Sequence, residues 1–235
     1  MIKFRKKLWI VGVAMVLAAV IGCWAYVGNY YHADDGAVAA MAACTMEEDG
    51  LAVFAPEAPV AGLIFYPGGK VEYTAYAPLM EALARQNILC VVVRMPGNLA
   101  VLDVNAAEEV TALFPAVERW YIGGHSLGGS MAASYAAKHT AELEGLILLA
   151  AYSTEAIEDL AVLSLYGTED GVLDLEKYGA YHENLPTDAV EIIIQGGNHA
   201  QFGSYGPQEG DGAATISGEE QIQITADSIA AFIGK

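Results

Sequence analysis

Residues 124–128 carry a serine in a pattern that suits acyl-transfer chemistry. They read Gly-His-Ser-Leu-Gly, so that Ser126 has one glycine two residues before it and another two residues after it. This pattern is typical of a sharp turn between a strand and a helix, which presents the hydroxyl as a nucleophile. Glycine is expected at Gly124 and Gly128 because larger side chains there would collide with the strand or the helix. The alternative is that Ser126 only caps a helix.

A serine hydroxyl becomes a nucleophile when a neighbouring base takes its proton, so a histidine is expected near Ser126. His199 is the favoured base, because it follows the apolar run 190–194 at the point where that predicted strand ends. A histidine in a surface loop is the alternative. The remaining histidines are expected to lie elsewhere: His32, His125, His139 and His182. His125, although adjacent to the serine, is expected to point away from the site.

A catalytic histidine needs a carboxylate on its other ring nitrogen, which fixes the tautomer and stabilises the imidazolium. Residues 166–171, Tyr-Gly-Thr-Glu-Asp-Gly, follow the preceding predicted strand and supply acidic side chains. Asp170 is the favoured partner, and Glu169 or Asp174 would replace it if that choice is wrong. The chain order would then be serine, acid, histidine.

The tetrahedral intermediate of acyl transfer also needs N–H groups aimed at its oxyanion. The N–H of Leu127 is the first candidate, because it begins the helix after the serine. The second comes from Gly69 or Lys70, in the Gly-rich segment that follows the predicted strand 60–66. The alternative is that this segment is a plain Gly-rich turn.

Short apolar runs alternate with helical patterns along the chain, and this alternation positions all of these residues. The runs predict buried strands at 60–66, 88–93, 120–123, 145–150, 160–166 and 190–194, with an edge strand at 50–55. Helical patterns cover 75–85, 103–114, 127–139, 174–181 and 219–233. Such alternation predicts an α/β fold with a mostly parallel sheet and helices on both faces. Ligand sites in these sheets lie beyond the carboxyl ends of the strands, where the candidate residues fall.

The composition excludes a nucleic-acid-binding protein. The 235 residues include 11 Lys and Arg against 29 Asp and Glu, for a net charge of −18, and four of the basic residues lie in the first seven positions. Phosphate binding needs clustered basic residues instead. Hydrophobic residues make up 54% of the chain, which is enough to build a sizeable core in a single domain.

The amino terminus has the pattern of a membrane anchor. Four basic residues precede an uncharged run at 8–27, whose 20 residues would make about 30 Å of helix. Basic residues stay in the cytoplasm, so the rest of the chain is predicted to lie outside it. A lipid anchor on Cys23 and a buried core helix are the alternatives. The predicted division is an anchor at 1–30, a stalk or first helix at 31–48, and a catalytic domain at 49–235.

Cys44 and Cys90 are the remaining cysteines. Cys90 lies within an apolar run, where a buried thiol behaves as a small hydrophobe. The predicted compartment permits a disulfide between the two, but the sequence does not decide whether it forms.

These motifs together resemble the α/β-hydrolase superfamily over roughly residues 50–235. The elbow around Ser126, the Gly-rich loop near Gly69, the acidic turn at Asp170 and the His199 loop all fall where that family places its parts. More narrowly, the chain is similar to the compact dienelactone-hydrolase-like group found in membrane-anchored bacterial proteins. The resemblance implies hydrolysis of a small ester or related acyl compound, with no metal and no cofactor.

Two loops distinguish this chain within the resemblance. Only residues 151–159 separate two predicted strands where many family members insert a helical lid, so no lid domain is expected. By contrast, residues 198–217 form a long Gly-rich loop that is predicted either to cover part of the site or to wrap the surface. Lys70 and Arg94 could favour a substrate that carries a carboxylate, although each could instead face solvent or a local acid.

The sequence therefore predicts a membrane-tethered serine hydrolase of carboxylic esters. A thioesterase, peptidase or acyltransferase with the same residues is the nearest alternative, and a non-catalytic binding module is the alternative from another class. Neither the natural substrate nor the oligomeric state can be read from the sequence.

Overall fold

The computed structural model of the protein describes residues 26–234, together with residues 12–13, 15–18 and 22. The chain divides after Tyr30, and Tyr31–Lys235 forms one compact unit. Within the described residues, no helix combines the length and apolar character needed to cross a bilayer. Most of the predicted anchor at 8–27 lies outside the described residues, so the anchor stays a prediction.

Eight strands form a single sheet in the order β1-β2-β4-β3-β5-β6-β7-β8. They are β1 Met46–Glu48, β2 Leu51–Phe54, β3 Ala61–Tyr66, β4 Ile88–Val93, β5 Trp120–His125, β6 Gly145–Leu149, β7 Ala161–Gly167 and β8 Val190–Ile194. The pairs β1–β2 and β2–β4 are antiparallel, and the remaining pairs are parallel. Strands β3 to β6 are buried along their whole length, as strands covered on both faces must be.

Helices cover both faces of this sheet. They are α1 Asp35–Ala40, α2 Ala77–Ala84, α3 Val110–Leu113, α4 Leu127–Ala136, α5 Leu175–Ala180 and α6 Gly218–Ile233. Helices α1, α2 and α6 contribute to one apolar cluster, whereas α3 and α4 contribute to the other. The predicted α/β fold, with a mostly parallel sheet between helical layers, is confirmed.

One predicted helix is mostly wrong. Only Val110–Leu113 of the predicted helix 103–114 is helical. The buried Tyr66 explains the difference, because its hydroxyl donates to the carbonyl of Val104 at 2.9 Å and accepts the N–H of Ala107 at 2.8 Å. Backbone groups that would make helical hydrogen bonds are therefore held by a side chain of β3.

Residues 31–48, predicted as a stalk or first helix, lie within the compact unit, and helix α1 forms in this segment. Ala37 and Ala40 of α1 are buried, and β1 adds an antiparallel edge strand that was not predicted. The segment before α1 is extended and is here called the strap, residues 31–34. The strap begins at Tyr31, which forms a parallel bridge with Val71.

Hydrogen bonds join the strap to two loops of the sheet's carboxyl edge. On one side, Tyr31 N–H donates to the carbonyl of Lys70 at 2.7 Å, and Glu72 N–H donates to the carbonyl of Tyr31 at 2.9 Å. On the other side, Asp34 N–H donates to the carbonyl of Ser204 at 2.9 Å, and the Ser204 hydroxyl donates to the Asp34 carboxylate at 2.6 Å. The strap therefore bridges the segment after β3 and the long loop after β8.

Residues 150–160 connect β6 to β7 directly, without a lid domain, as predicted.

Cys44 and Cys90 are both free thiols, so the disulfide that the sequence left open is not formed.

Candidate active site

Ser126 occupies the turn between β5 and α4. Its backbone has φ 52° and ψ −123°, a conformation that non-glycine residues rarely adopt. The Ser126 N–H donates to the carbonyl of Leu149 at 2.9 Å, which fixes the turn against the end of the neighbouring strand β6. A strained serine held in this way at a strand-to-helix turn matches the predicted nucleophile elbow in its geometry.

The glycines on either side of Ser126 allow this close packing. A Cβ atom on Gly124 would lie 2.6 Å from the carbonyl carbon of Gly128, and one on Gly128 would overlap the carbonyl oxygens of Tyr66 and Pro67. Neither obstacle is a flexible side-chain end. The sequence-based reason for glycine at these two positions is therefore confirmed by the packing.

His199 and Asp170 are brought together by the loops that follow β8 and β7. Nδ1 of His199 lies 2.9 Å from Oδ2 of Asp170, and each side chain is only 1% exposed. The other carboxylate oxygen of Asp170 accepts the N–H groups of Val172 at 2.9 Å and Leu173 at 2.7 Å. Because an ionised carboxylate can only accept, Nδ1 of His199 donates in this hydrogen bond, and the acceptor of the neutral ring is then Nε2.

The two alternative acids lie elsewhere. The carboxylate of Glu169 accepts a hydrogen bond from the Thr168 hydroxyl, and Asp174 caps the first turn of α5 through the N–H of Lys177. Nε2 of His199 is buried and makes no hydrogen bond to any described residue, so the hydroxyl of Ser126 is not joined to it in this structure. The structure thus brings Asp170 and His199 into contact but does not form the Ser126–His199 hydrogen bond.

The candidate oxyanion donors differ in what they already bind. The N–H of Lys70 donates to the carbonyl of Asn98 at 2.7 Å, in a left-handed backbone with φ 60°. A Cβ on Gly69 would lie 3.0 Å from the side chain of Leu127, so the Gly-rich loop packs against the start of α4. Leu127 begins α4, where N–H groups lack a helical partner. Of the two loop candidates, the geometry favours Gly69.

Asp211 joins the loop that carries Asp170 to the loop that carries His199, a role that the sequence analysis missed. Its carboxylate accepts the N–H groups of Gly171 at 3.1 Å, His199 at 3.2 Å and Ala200 at 2.8 Å. No sequence signal identifies this role, because an acid in a Gly-rich loop is ordinarily solvated. The long loop 198–217 thus supplies both His199 and the carboxylate that orients its backbone.

The prediction that His125 points away from the site is wrong. Its ring is fully buried, and its centroid lies 4.5 Å from that of His199 and 5.6 Å from that of Phe202 in the long loop. Burial, and secondarily the neighbouring His199, lowers the pKa of His125 well below its usual value. His125 is therefore a neutral ring packed against the candidate base.

A cleft of about 980 Å³ lies beside the long loop. Asn198, Ala200 and Asp211 line it, together with parts of α1, α2 and α6, but Ser126 and His199 do not. Within the described part of the chain, no group of three or more His, Cys, Asp and Glu side chains is placed to hold a metal ion.

Comparisons with known proteins identify the family. The model of the alpha/beta hydrolase family matches residues 62–223, which include Ser126, Asp170 and His199. The chain therefore belongs to the alpha/beta hydrolase family. A search of curated protein sequences finds no match.

Solved structures agree on the fold. Est1E from Butyrivibrio proteoclasticus, in its complex with ferulic acid, is 13% identical with a TM-score of 0.60, over 80% of this chain and 98% of that one. Esterase 2 from Thermogutta terrifontis is 14% identical with a TM-score of 0.57, over 83% and 94% of the two chains. A predicted CIB-like hydrolase from Thermoplasma acidophilum is 16% identical with a TM-score of 0.57, over 79% and 96%.

Proposed function

We propose that this protein is a serine hydrolase that cleaves a small carboxylic ester outside the cytoplasm while tethered to the membrane. The observation that carries the proposal is the buried hydrogen bond between His199 and Asp170, at the same sheet edge as the strained Ser126. A serine turn alone would also fit a helix cap. A histidine whose tautomer is fixed by a buried carboxylate fits general-base catalysis.

The reaction follows from these groups. The hydroxyl oxygen of Ser126 attacks the ester carbonyl carbon while Nε2 of His199 takes its proton. The tetrahedral oxyanion is stabilised by the N–H groups of Leu127 and Gly69. Its collapse breaks the bond to the alcohol, which leaves with the proton from His199. Water then attacks the acyl-enzyme with His199 again as the base, and it releases the acid and regenerates Ser126.

This activity is tested by labelling the protein with a fluorophosphonate probe and locating the adduct by peptide mass mapping. We expect one adduct on Ser126, lost in Ser126→Ala and slowed by about 10³-fold or more in His199→Ala. Ser130→Ala is the matched control, since the Ser130 hydroxyl on α4 donates to the carbonyl of Tyr152 and should not react. A folded protein that acquires no adduct would refute the proposal.

The acyl group remains to be assigned by comparing matched ester, thioester and amide substrates. The esterases among the structural neighbours support ester cleavage as the first choice. A preference for thioester or amide would keep the serine mechanism and replace the ester assignment. No turnover of any of the three, by a protein that is labelled at Ser126, would favour acyl transfer to an acceptor other than water.

The membrane tether rests on the leader sequence with its basic residues before the apolar run 8–27. We expect the full chain to stay in the membrane fraction after alkaline carbonate washing and to be digested by protease added from outside. Cys23→Ala should leave this unchanged if the anchor is a helix. Release of Cys23→Ala into the soluble fraction would establish the lipid anchor instead.

A further inference from the structure

Tyr76 and His125 form a buried pair beside the site that the proposed mechanism does not use. Both side chains have no solvent exposure. The hydroxyl of Tyr76 lies 2.9 Å from the N–H of Gly68 and 2.8 Å from Nδ1 of His125. Gly68 immediately precedes Gly69, and His125 immediately precedes Ser126. This one hydroxyl therefore links the Gly-rich loop to the turn that carries Ser126.

The direction of the protons in this pair follows from counting donors and acceptors. The N–H of Gly68 can only donate, so the Tyr76 oxygen accepts there. If Nδ1 of His125 also donated, the Tyr76 O–H would be left without an acceptor in a fully buried place, which is costly. Tyr76 therefore donates to Nδ1, and the proton of the neutral His125 ring is on Nε2. Nε2 is buried without a full hydrogen bond in the described part of the chain, and its N–H is the ring donor left for the backbone interaction with His199 that raises the pKa of His125.

The packing leaves little room for this pair to shift. A Cβ on Gly68 would come within 2.8 Å of Nδ1 of His125 and 2.9 Å of the Tyr76 hydroxyl. On its other side, the His125 ring packs against His199, with centroids 4.5 Å apart and planes tilted by 50°. Burial raises the pKa of Tyr76 and lowers that of His125, so both groups remain neutral at pH 7. A neutral ring beside His199 does not oppose the positive charge that His199 gains when it takes the proton of Ser126.

Resting on the proposed esterase function, we propose that Tyr76 and His125 are positioning residues for the reaction. The Tyr76 hydroxyl holds Gly68, and with it the Gly69 N–H, at the oxyanion position, and it fixes the His125 ring as the wall against which His199 is oriented. Neither residue touches the reacting atoms. Their loss should therefore slow the chemical step and leave substrate binding nearly unchanged.

The test compares Tyr76→Phe with Tyr66→Phe in the full-length chain, purified in a mild detergent. Tyr66 is a matched control, because it is also fully buried and its hydroxyl also accepts one backbone N–H, from Ala107. We expect fluorophosphonate labelling of Ser126 to slow by about 10- to 100-fold in Tyr76→Phe, because the Gly69 N–H and the His125 ring would be displaced. Tyr66→Phe should stay within about threefold of the wild type, because the hydroxyl that it removes bonds Val104 and Ala107 and no residue of the candidate site.

Three further readouts separate positioning from a general loss of structure. With a short-chain p-nitrophenyl ester, Tyr76→Phe should lower kcat and leave KM within about twofold. In His125→Asn, the amide oxygen can accept the Tyr76 hydrogen bond in the place of Nδ1, so it should label faster than His125→Leu. In the wild type, 15N spectra of labelled histidines should show His125 as the neutral ring with its proton on Nε2.

The outcomes distinguish the two proposals. A wild type without an adduct on Ser126 overturns the esterase and the positioning roles together. A labelled wild type with Tyr76→Phe no slower than Tyr66→Phe overturns only the positioning roles, as does His125→Asn that is no faster than His125→Leu. If the tyrosine variants do not fold, the spectra decide, because a proton on Nδ1 of His125, or a charged ring, overturns the inference.

Discussion

At the scale of single residues, the turn at Ser126 depends on two glycines that have no side chain. Ser126 can keep its strained backbone because Gly124 and Gly128 have no side chains to meet the surrounding carbonyl groups. The strain is held by the packing of α4 against β3 and β5. A single methyl group added at either glycine is therefore expected to disturb the backbone of Ser126 without contacting its hydroxyl.

Gly128→Ala should destabilise the protein by about 1–3 kcal/mol and slow labelling of Ser126, because the new Cβ would overlap the carbonyl oxygens of Tyr66 and Pro67. Gly179→Ala is the matched control. A Cβ there meets nothing within 4 Å, and alanine in the helix α5 should be neutral or stabilising by about 0.5–1 kcal/mol. Urea unfolding and labelling of both variants check this, and equal behaviour would contradict it.

His125 should make the fold sensitive to acid. Because burial lowers its pKa in the folded state, the unfolded chain binds a proton below pH 6.5 that the folded chain does not. Its contribution to stability is complete above pH 6.5 and is lost as the pH falls toward the folded pKa, by up to about 1.4 kcal/mol for each pH unit. The titratable groups that face it are Tyr76 and His199.

The check is urea unfolding of the wild type and of His125→Asn between pH 7 and pH 5. Other titrating groups are common to both proteins, so the free energy of unfolding should fall more steeply with acid in the wild type. Parallel curves would mean that His125 accepts a proton in the folded state as readily as in the unfolded chain.

At the scale of elements, two loops from different strands are joined by one side chain. Asp211 binds the backbone of Gly171, beside Asp170, and that of His199 and Ala200. Asp170 and His199 are thus aligned through their main chains as well as through their own hydrogen bond. This gives the long loop 198–217 a defined role in the geometry of the site.

Asp211→Ala should leave these backbone donors without an acceptor, at a cost of about 1–3 kcal/mol in the free energy of unfolding. It should also slow Ser126 labelling by about tenfold, since the loop that carries His199 would be displaced. Asp174→Ala is the control, since it removes another carboxylate that binds a backbone N–H. It should lower the free energy of unfolding by less than Asp211→Ala does, because Asp174 is the exposed cap of α5, and it should leave labelling unchanged. Unchanged labelling in Asp211→Ala would show that the loop is aligned by other contacts.

The sequence predicts those parts of this architecture that depend on local patterns. The buried strands show as apolar runs, and the elbow shows as glycines at fixed spacing around Ser126. The predicted helix 103–114 forms only in part, because the hydroxyl of Tyr66, which is distant in sequence, hydrogen-bonds to backbone groups of this segment. Edge strand β1 was missed because Met46–Glu48 is short and both of its glutamates are exposed, so it has no apolar run.

The supporting residues of the site could not be predicted for the same reason. Tyr76 meets His125 across 49 positions of sequence, and Asp211 meets Gly171 across 40. Such partners have no spacing rule, because the fold alone brings them together. The pairing of Asp170 with His199 was predictable, since each follows a strand whose end lies at the same edge.

At the scale of the whole molecule, the strap belongs to the compact unit Tyr31–Lys235. The strap begins where the leader ends and bonds to the loops that carry the Gly69 and His199 candidates. Tyr31 adds a ring contact with Tyr205 at 5.6 Å, and its hydroxyl accepts the N–H of Glu209 at 3.1 Å. The strap therefore connects the segment after β3 to the long loop after β8 at the carboxyl edge of the sheet.

A chain that begins at Tyr31 should unfold at the same temperature as the full chain. One that begins at Gly36 lacks the strap and the Asp34 cap of α1, so its Tm should be lower by roughly 5–10 °C. Its labelling of Ser126 should also be slower. Thermal unfolding of the two truncated chains, followed by circular dichroism, makes the comparison, and identical melting curves would show that the strap contributes nothing.

The same connection determines where mechanical load enters the molecule. Tension on the leader, from a membrane or from an optical trap, passes along the chain to Tyr31 and from there into Lys70 and Glu72 through single hydrogen bonds. The sheet behind them is held by many parallel bonds that share a load. A pull on the amino terminus should therefore deform the segment after β3 at forces that leave the sheet intact, so that activity is lost under tension before the domain unfolds.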